Sequence, residues 1–470
     1  MADSIHLREH PMGLAEYACL SHRWGSKGPA IKLTSHTVKN LTEGYPISEL
    51  PKTFRDAVQV CQSLGISYIW IDALCILQDS KEDWEEAAAT MANIYQNSHV
   101  TIAATFAWNS NEGLFSNRDP AALAKRLKLH PHLHAMEAPV PFPHNLSEQN
   151  LDLWPLLARA WVYQERMFSP RTIHFGKYQV DIRHLCRVNI LGSLENRTEN
   201  PSFDWHRFVT EYTGLELTYE TDRLPAIAAV AERISRTMRA DDIYVTGLWK
   251  DSIISDMLWC PMIPGRRTPL HQRGKPSWSW ASYPRMKITF LGDPTVPYMA
   301  DFVSLDYTAV GSTYLGEVKD ASVVVKAPTL TITDPDGLSQ MELKDLLKHP
   351  AEYFRDTLPR KYGQRYPMSF EPLPAEWGNC HLGVFLRNDY DPTTAIPPYA
   401  TGTVLKVQLF QRSEGTIWAL VLRSLPVTSR QYERFGTIML RFSPLGGEEI
   451  AYDLVLKFLQ SLPLEKLKIV

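Results

Sequence analysis

Tyr68-Ile69-Trp70-Ile71-Asp72 is the stretch on which the fold turns. It is apolar and β-prone up to its final acid, the pattern of a strand buried on both faces of a parallel sheet. Two amphipathic segments flank it. Upstream, Phe54, Ala57, Val58, Cys61 and Leu64 recur at helical spacing, with Gly65 behind them as a stop. Thr53 with Asp56 reads as a capping box opening that helix, just after Pro51. Downstream, Ser80 with Asp83 reads as a second capping box, and Trp84, Ala87, Ala88, Met91, Ile94 and Tyr95 form a buried stripe. Tyr17 to Ser21 is an earlier strand running into His22-Arg23-Trp24-Gly25, and His99 to Ala104 is a later one. Strand, helix, strand, helix, strand implies right-handed crossovers and a parallel sheet.

The chain has 470 residues, more than one hydrophobic core usually serves, so two or more domains are expected. Charged residues are 21% and the net charge is −3, which excludes a disordered chain and disfavours a nucleic-acid partner. Aromatic residues are 11%, suggesting β structure rich in aromatics. The N-terminus shows no apolar signal region and no apolar run reaches the ~18–20 residues of a membrane helix, so a cytoplasmic location is expected. Cys and His do not cluster at ligand spacing, so no metal site is expected.

Residues 111–151 read as an irregular arm, rich in Pro and His. Arg159 to Met167 reads as a helix stopped near Pro170, followed by a hairpin of Thr172–Phe175 and Gln179–Cys186 around Gly176-Lys177. Leu224 to about Arg239 reads as helical. Past residue 245, strand-like runs recur at 287–291, 321–326, 380–386, 402–410, 416–422 and 435–442, with one helical interruption near Gln340 to His349. Trp278 and Trp280 alternate with small residues, which places both on one face of a strand packed in a core.

Three stretches resemble the fungal heterokaryon-incompatibility (HET) domain family: Tyr17 to Gly25; Leu50 to Ala57 continuing through Tyr68–Gln78 to Tyr95; and Arg159 to Arg166 with Ser169-Pro170-Arg171. Thr221 to Ala226, Gly247-Leu248-Trp249, Pro276 to Ser282 and Tyr432 to Gly436 are similar to stretches that follow the domain in many members. The resemblance implies an α/β N-terminal domain with a TIR/flavodoxin-like parallel sheet, followed by a β-rich α+β C-terminal domain. The expected boundaries are 1–190 for the HET domain, 191–245 for a helical connector and 246–470 for the β-rich domain. Two departures stand out. The His22-Arg23 loop is unusually basic, and the Glu that many members carry three residues after the helix tryptophan is replaced by Ala87. Glu86 lies one position away, a rotation of about 100° on a helix.

Relatedness to TIR domains, some of which cleave NAD with a helix-borne Glu, makes NAD a candidate substrate; no cofactor is assigned. The candidate catalytic carboxylates are Asp72, Glu86 and Glu165, since cleaving an N-glycosidic bond develops oxocarbenium charge that a carboxylate stabilises. Asp72 ends an apolar strand, so it caps a neighbouring loop, pairs with Arg23 or Arg159, or recognises ribose or base. Glu86 alternatively lies on a solvated face, and Glu165 alternatively forms a structural ion pair. Ser21, Arg23, Trp24, Cys75, Gln78, Arg159 and Gln164 are the candidate binding residues, because ligands bind beyond the carboxyl ends of parallel strands. Cys75 sits in an apolar run that suits core packing better than nucleophilic attack. Three functions remain open: an incompatibility or cell-death effector that self-associates through its HET domain or meets an allelic or non-allelic partner; a secondary-metabolite enzyme on the same scaffold; and a non-enzymatic adaptor.

Overall fold

The computed structural model describes residues 3–9, 15–116, 126–130, 133–136, 153–177, 180–184, 201–262, 275–283, 286–310, 318–333, 366–367, 380–388, 404–413, 416–425, 430–444 and 461–470. The chain divides into two compact units: Met1–Glu195 with Glu216–Thr218 and Pro225–Ala229, and the remainder. Among the described residues no helix is long and apolar enough to cross a membrane.

The first unit is built on a five-stranded sheet. Its elements are β1 (Tyr17–Ser21), α1 (Lys52–Leu64), β2 (Tyr68–Trp70), α2 (Asp72–Cys75), α3 (Lys81–Gln96) and β3 (Val100–Ala103). A small hairpin, β4 (Arg126–His130) and β5 (Leu133–Met136), precedes α4 (Ala160–Phe168), β6 (Arg171–Phe175) and β7 (Val180–His184). The strand order is β2-β1-β3-β6-β7. The first four strands run parallel and β7 returns antiparallel as the hairpin partner of β6. The order therefore reverses between β1 and β3. Alternation along β1 explains how the sheet is covered. Ala18 and Leu20 face the core containing Phe54 and Ala57 of α1, whereas Cys19 packs with Met91 and Tyr95 of α3.

Several local expectations need correction. Tyr68 to Asp72 is not a strand buried on both faces: β2 is three residues long, lies at the sheet edge and leaves Tyr68 exposed. Its hydrophobicity reflects partial cover on both faces, with Ile69 against the core around α1 and Trp70 against Tyr95 of α3. Asp72 starts the short helix α2 rather than ending the strand. Thr53 and Asp56 do not cap α1, whose preceding residue is Pro51. They instead receive the backbone N–H groups of Gly113 and Leu114, pinning the loop after β3 to the helix. Ser80 does cap α3 by accepting from Asp83 N–H, but the Asp83 carboxylate reaches to Leu77 N–H instead of closing the box. The irregular arm of 111–151 contains the β4–β5 hairpin.

The second unit holds an eight-stranded sheet, as the run of strand signals implies. Its strands are β8 (Asp301–Ala309), β9 (Val318–Thr333), β10 (Tyr366–Pro367), β11 (Cys380–Asn388), β12 (Val404–Ser413), β13 (Thr416–Ser424), β14 (Gln431–Pro444) and β15 (Leu464–Ile469). The order is β8-β9-β12-β13-β14-β11-β10, with β15 pairing β9 and β14. All pairings are antiparallel except β14 with β15. Trp278 and Trp280 are not on a strand. They lie in a turn leading into a 3-10 helix, Trp280–Ser282, and both are fully buried. The Trp205 and Trp280 indoles both donate to the Gly247 carbonyl, and Trp259 donates to Trp278 O. Much of the aromatic excess is thus structural. The expected helix at 340–349 and Cys186 lie outside the described residues.

Candidate functional site

The carboxyl ends of β1 and β3 meet where the strand order reverses, the position at which doubly wound sheets open a crevice. Two layers of side chains lie there. The inner layer is buried and polar. Ser21, His22, Gln164 and Glu165 are all nearly inaccessible to solvent. Ser21 follows the Cys19 side of β1, toward α3 and α4. His22 turns to the other side, its ring edge-on to Phe54 with centroids 4.9 Å apart.

Asp72 joins this layer from the first turn of α2. Its carboxylate accepts from its neighbour Ala73 N–H at 2.6 Å and from the Trp24 indole at 3.0 Å, with His22 Nδ1 3.7 Å away. It pairs with neither arginine. Arg159 donates to His22 O at 2.6 Å, and Arg23 donates to Pro155 O at 2.7 Å and to Glu216 at 3.0 Å. Asp72 therefore sets the Trp24 ring through its indole N–H.

Glu165 is the most perturbed carboxyl in this layer. Burial lifts it to about 7. The Ser21 hydroxyl, the Arg159 guanidinium and the Tyr95 hydroxyl pull it down, while Asp72 pushes it further up. Even so, Glu165 Oε2, Ser21 Oγ, Gln164 Oε1 and both His22 nitrogens complete no hydrogen bond. Five such atoms around one strand end are unusual, because a buried polar group without a partner costs about 1–3 kcal/mol. Burial also drives His22 toward the neutral form, which the nearby Arg159 charge reinforces against Asp72 and the Leu20 carbonyl.

The outer layer is a cleft of about 740 Å³, within the size range of small-molecule sites. Arg23, Trp24, Gly25, Ser26, Lys27 and Gly28 from the loop after β1 line it, together with Trp108, Asn109, Asn111, Arg159 and Thr218. Among the described residues, three cations and two indoles line it and no acid does. Lys32 sits over the Trp24 ring at 4.9 Å and Arg23 over the Trp108 ring at 5.2 Å. Arg159 lines the cleft and also borders the buried layer.

The other sequence-predicted residues take simpler places. Gln78 donates to Asp72 O and Ile76 O, so its amide satisfies its own loop. Cys75 accepts from Ile71 N–H, and burial pushes its thiol up to about 11. Gln164 donates to Met91 Sδ at 3.5 Å. Glu86 is exposed on α3, apart from the buried layer. The candidate site residues read from the sequence did not include His22, Lys27, Trp108 or Asn109, although the His22-Arg23 loop stood out as basic. The rule that selected the loop after β1 selects the loop after β3 equally, and would have found Trp108 and Asn109.

No curated protein and no solved structure matches the chain. Residues 17–165, from β1 into α4, match the family model described as Heterokaryon incompatibility protein (HET).

Proposed function

We propose that the protein is an incompatibility-type cell-death effector whose HET domain binds a nucleotide, with NAD the candidate, in the cleft at the β1–β3 reversal. The observation that carries the reading is the lining of that cleft: among the described residues, three cations for phosphate, two indoles for a flat ring, and no acid. The strand order, second-first-third-fourth-fifth, supports the TIR/flavodoxin-like assignment, with the antiparallel β7 as a departure. The reading assigns the protein to the cytoplasm and expects self-association through the HET domain.

For NAD cleavage the chain offers Glu165 rather than Glu86. Glu165 is buried beside Arg159, whereas Glu86 faces solvent. In the proposed reaction, water adds to the ribosyl carbon as the bond to nicotinamide breaks. Nicotinamide leaves with the bonding pair, and one proton is released with ADP-ribose. A carboxylate at Glu165 would stabilise the cationic sugar once the ligand's phosphate draws Arg159 off the His22 carbonyl. The test is incubation of the full-length protein with NAD, following nicotinamide release and NAD binding in parallel. Release that is lost in Glu165→Gln supports the reading. Binding without release removes hydrolysis, and absence of both overturns the nucleotide assignment.

A further inference from the structure

We propose that the loop Trp24–Gly28 is a phosphate-binding loop, taking the pyrophosphate group of the bound ligand. This rests on the nucleotide reading of the cleft but names its chemical determinant. The loop follows the first parallel strand at the order reversal, where backbone and ligand approach most closely. Gly25 has φ +77° and Gly28 φ +69°, the left-handed region that favours glycine. A Cβ on Gly25 would lie 2.6 Å from Asn109 Cβ, so glycine lets this loop approach the loop after β3 as closely as observed. Gly28 N–H turns back onto Gly25 O at 3.2 Å. Among the described residues, the intervening N–H groups of Ser26 and Lys27 have no hydrogen-bond partner.

The charges fit the same ligand. Lys27 is exposed at the cleft, and Arg23 and Arg159 line it as well. Arg23 already shares Glu216, which leaves Lys27 as the more available of the two cations that the loop after β1 brings to the cleft. The site differs from the glycine-rich loops that rely on a helix N-terminus. The chain runs from Gly28 into Pro29, which has no N–H, and no helix opens until Val38. An anion here is held by side-chain charge and loop N–H groups, without a helix dipole. That predicts affinity that depends steeply on Lys27 and on salt.

The experiment is calorimetric titration of the full-length protein and of Lys27→Glu with ADP-ribose and with inorganic pyrophosphate, at low and at physiological salt. Lys27 is exposed, and matching thermal unfolding of the two proteins serves as the fold control. The expected result is that both compounds bind, that Lys27→Glu weakens both by about tenfold or more, and that salt weakens both. ADP-ribose binding that is unchanged in Lys27→Glu overturns the phosphate loop and leaves the nucleotide reading standing. Pyrophosphate binding that depends on Lys27, without ADP-ribose binding, supports the loop and overturns the nucleotide reading. Failure of both compounds to bind overturns both.

Discussion

Replacing Glu165 by Gln should stabilise the protein, and the gain should grow with pH. The carboxyl is raised from 4.5 to about 7 in the folded protein, chiefly by burial. Between those values the folded state holds a proton that the unfolded state has released, so stability falls as pH rises through that window. Each pKa unit corresponds to about 1.4 kcal/mol. The full cost of the charged carboxylate is thus about 3 kcal/mol above pH 7.5, falling below about 1 kcal/mol at pH 5. Gln keeps the shape and carries no charge to desolvate, and the Ser21 and Tyr95 hydroxyls beside it can accept from an amide. For a unit of roughly 200 residues, 1 kcal/mol moves Tm by about 2–4 °C, so the variant should melt about 6–12 °C higher at pH 8 and nearly level with the parent at pH 5. The assay is thermal unfolding of both proteins from pH 5 to 8.5, following the transition of the first unit. A difference that is constant with pH, or a variant that is less stable at pH 8, refutes the assignment of a desolvated carboxyl. A charge retained at this cost is what a working site would show, so the same variant should lose any nicotinamide release.

Glu86→Ala should change stability by less than about 0.5 kcal/mol and leave nicotinamide release intact, as measured by thermal unfolding and turnover, because the side chain is exposed. Cys75 and Cys19 should resist iodoacetamide in the folded protein at pH 7.5 and react only on unfolding, since burial raises both thiols, Cys75 to about 11; mass spectrometry of the alkylated protein reads this out. Arg434→Met in the second unit should destabilise it by about 3 kcal/mol or more, seen as an earlier unfolding transition. Its guanidinium is fully buried, sits 3.4 Å over the Trp259 ring and donates to Met257 O, Trp259 O and Thr437.

The parallel α/β unit was legible because its signals are local. The stripes of α1 and α3, the stop at Gly65 and the apolar β1 and β3 each report burial within a few residues. Short-range patterns misled where the partner was distant. Thr53 and Asp56 have the spacing of a capping box, yet the donors they satisfy lie about sixty residues away. Tyr68 to Asp72 has the hydrophobicity of a central strand, but an edge strand partly covered on both faces requires much of the same composition. Trp278 and Trp280 alternate like strand residues because a tight turn into a 3-10 helix also buries both.

At the site, the division between sequence and tertiary structure is sharper. Sequence alone determined that Ser21 to Trp24 and the segment around Asp72 follow parallel strands and open on one edge of the sheet, because strands that run parallel end on the same edge. Only the tertiary structure decided which of those side chains meet. It brought Glu165 from α4 beside Ser21, gave Asp72 to the Trp24 indole instead of to an arginine, and left Glu86 in solvent. It also placed Trp108 and Lys27 in the lining of one cleft. The physical reason is that helical phase and strand alternation set the direction of a side chain locally, whereas its neighbours, its desolvation and hence its charge depend on elements that close over it from far along the chain.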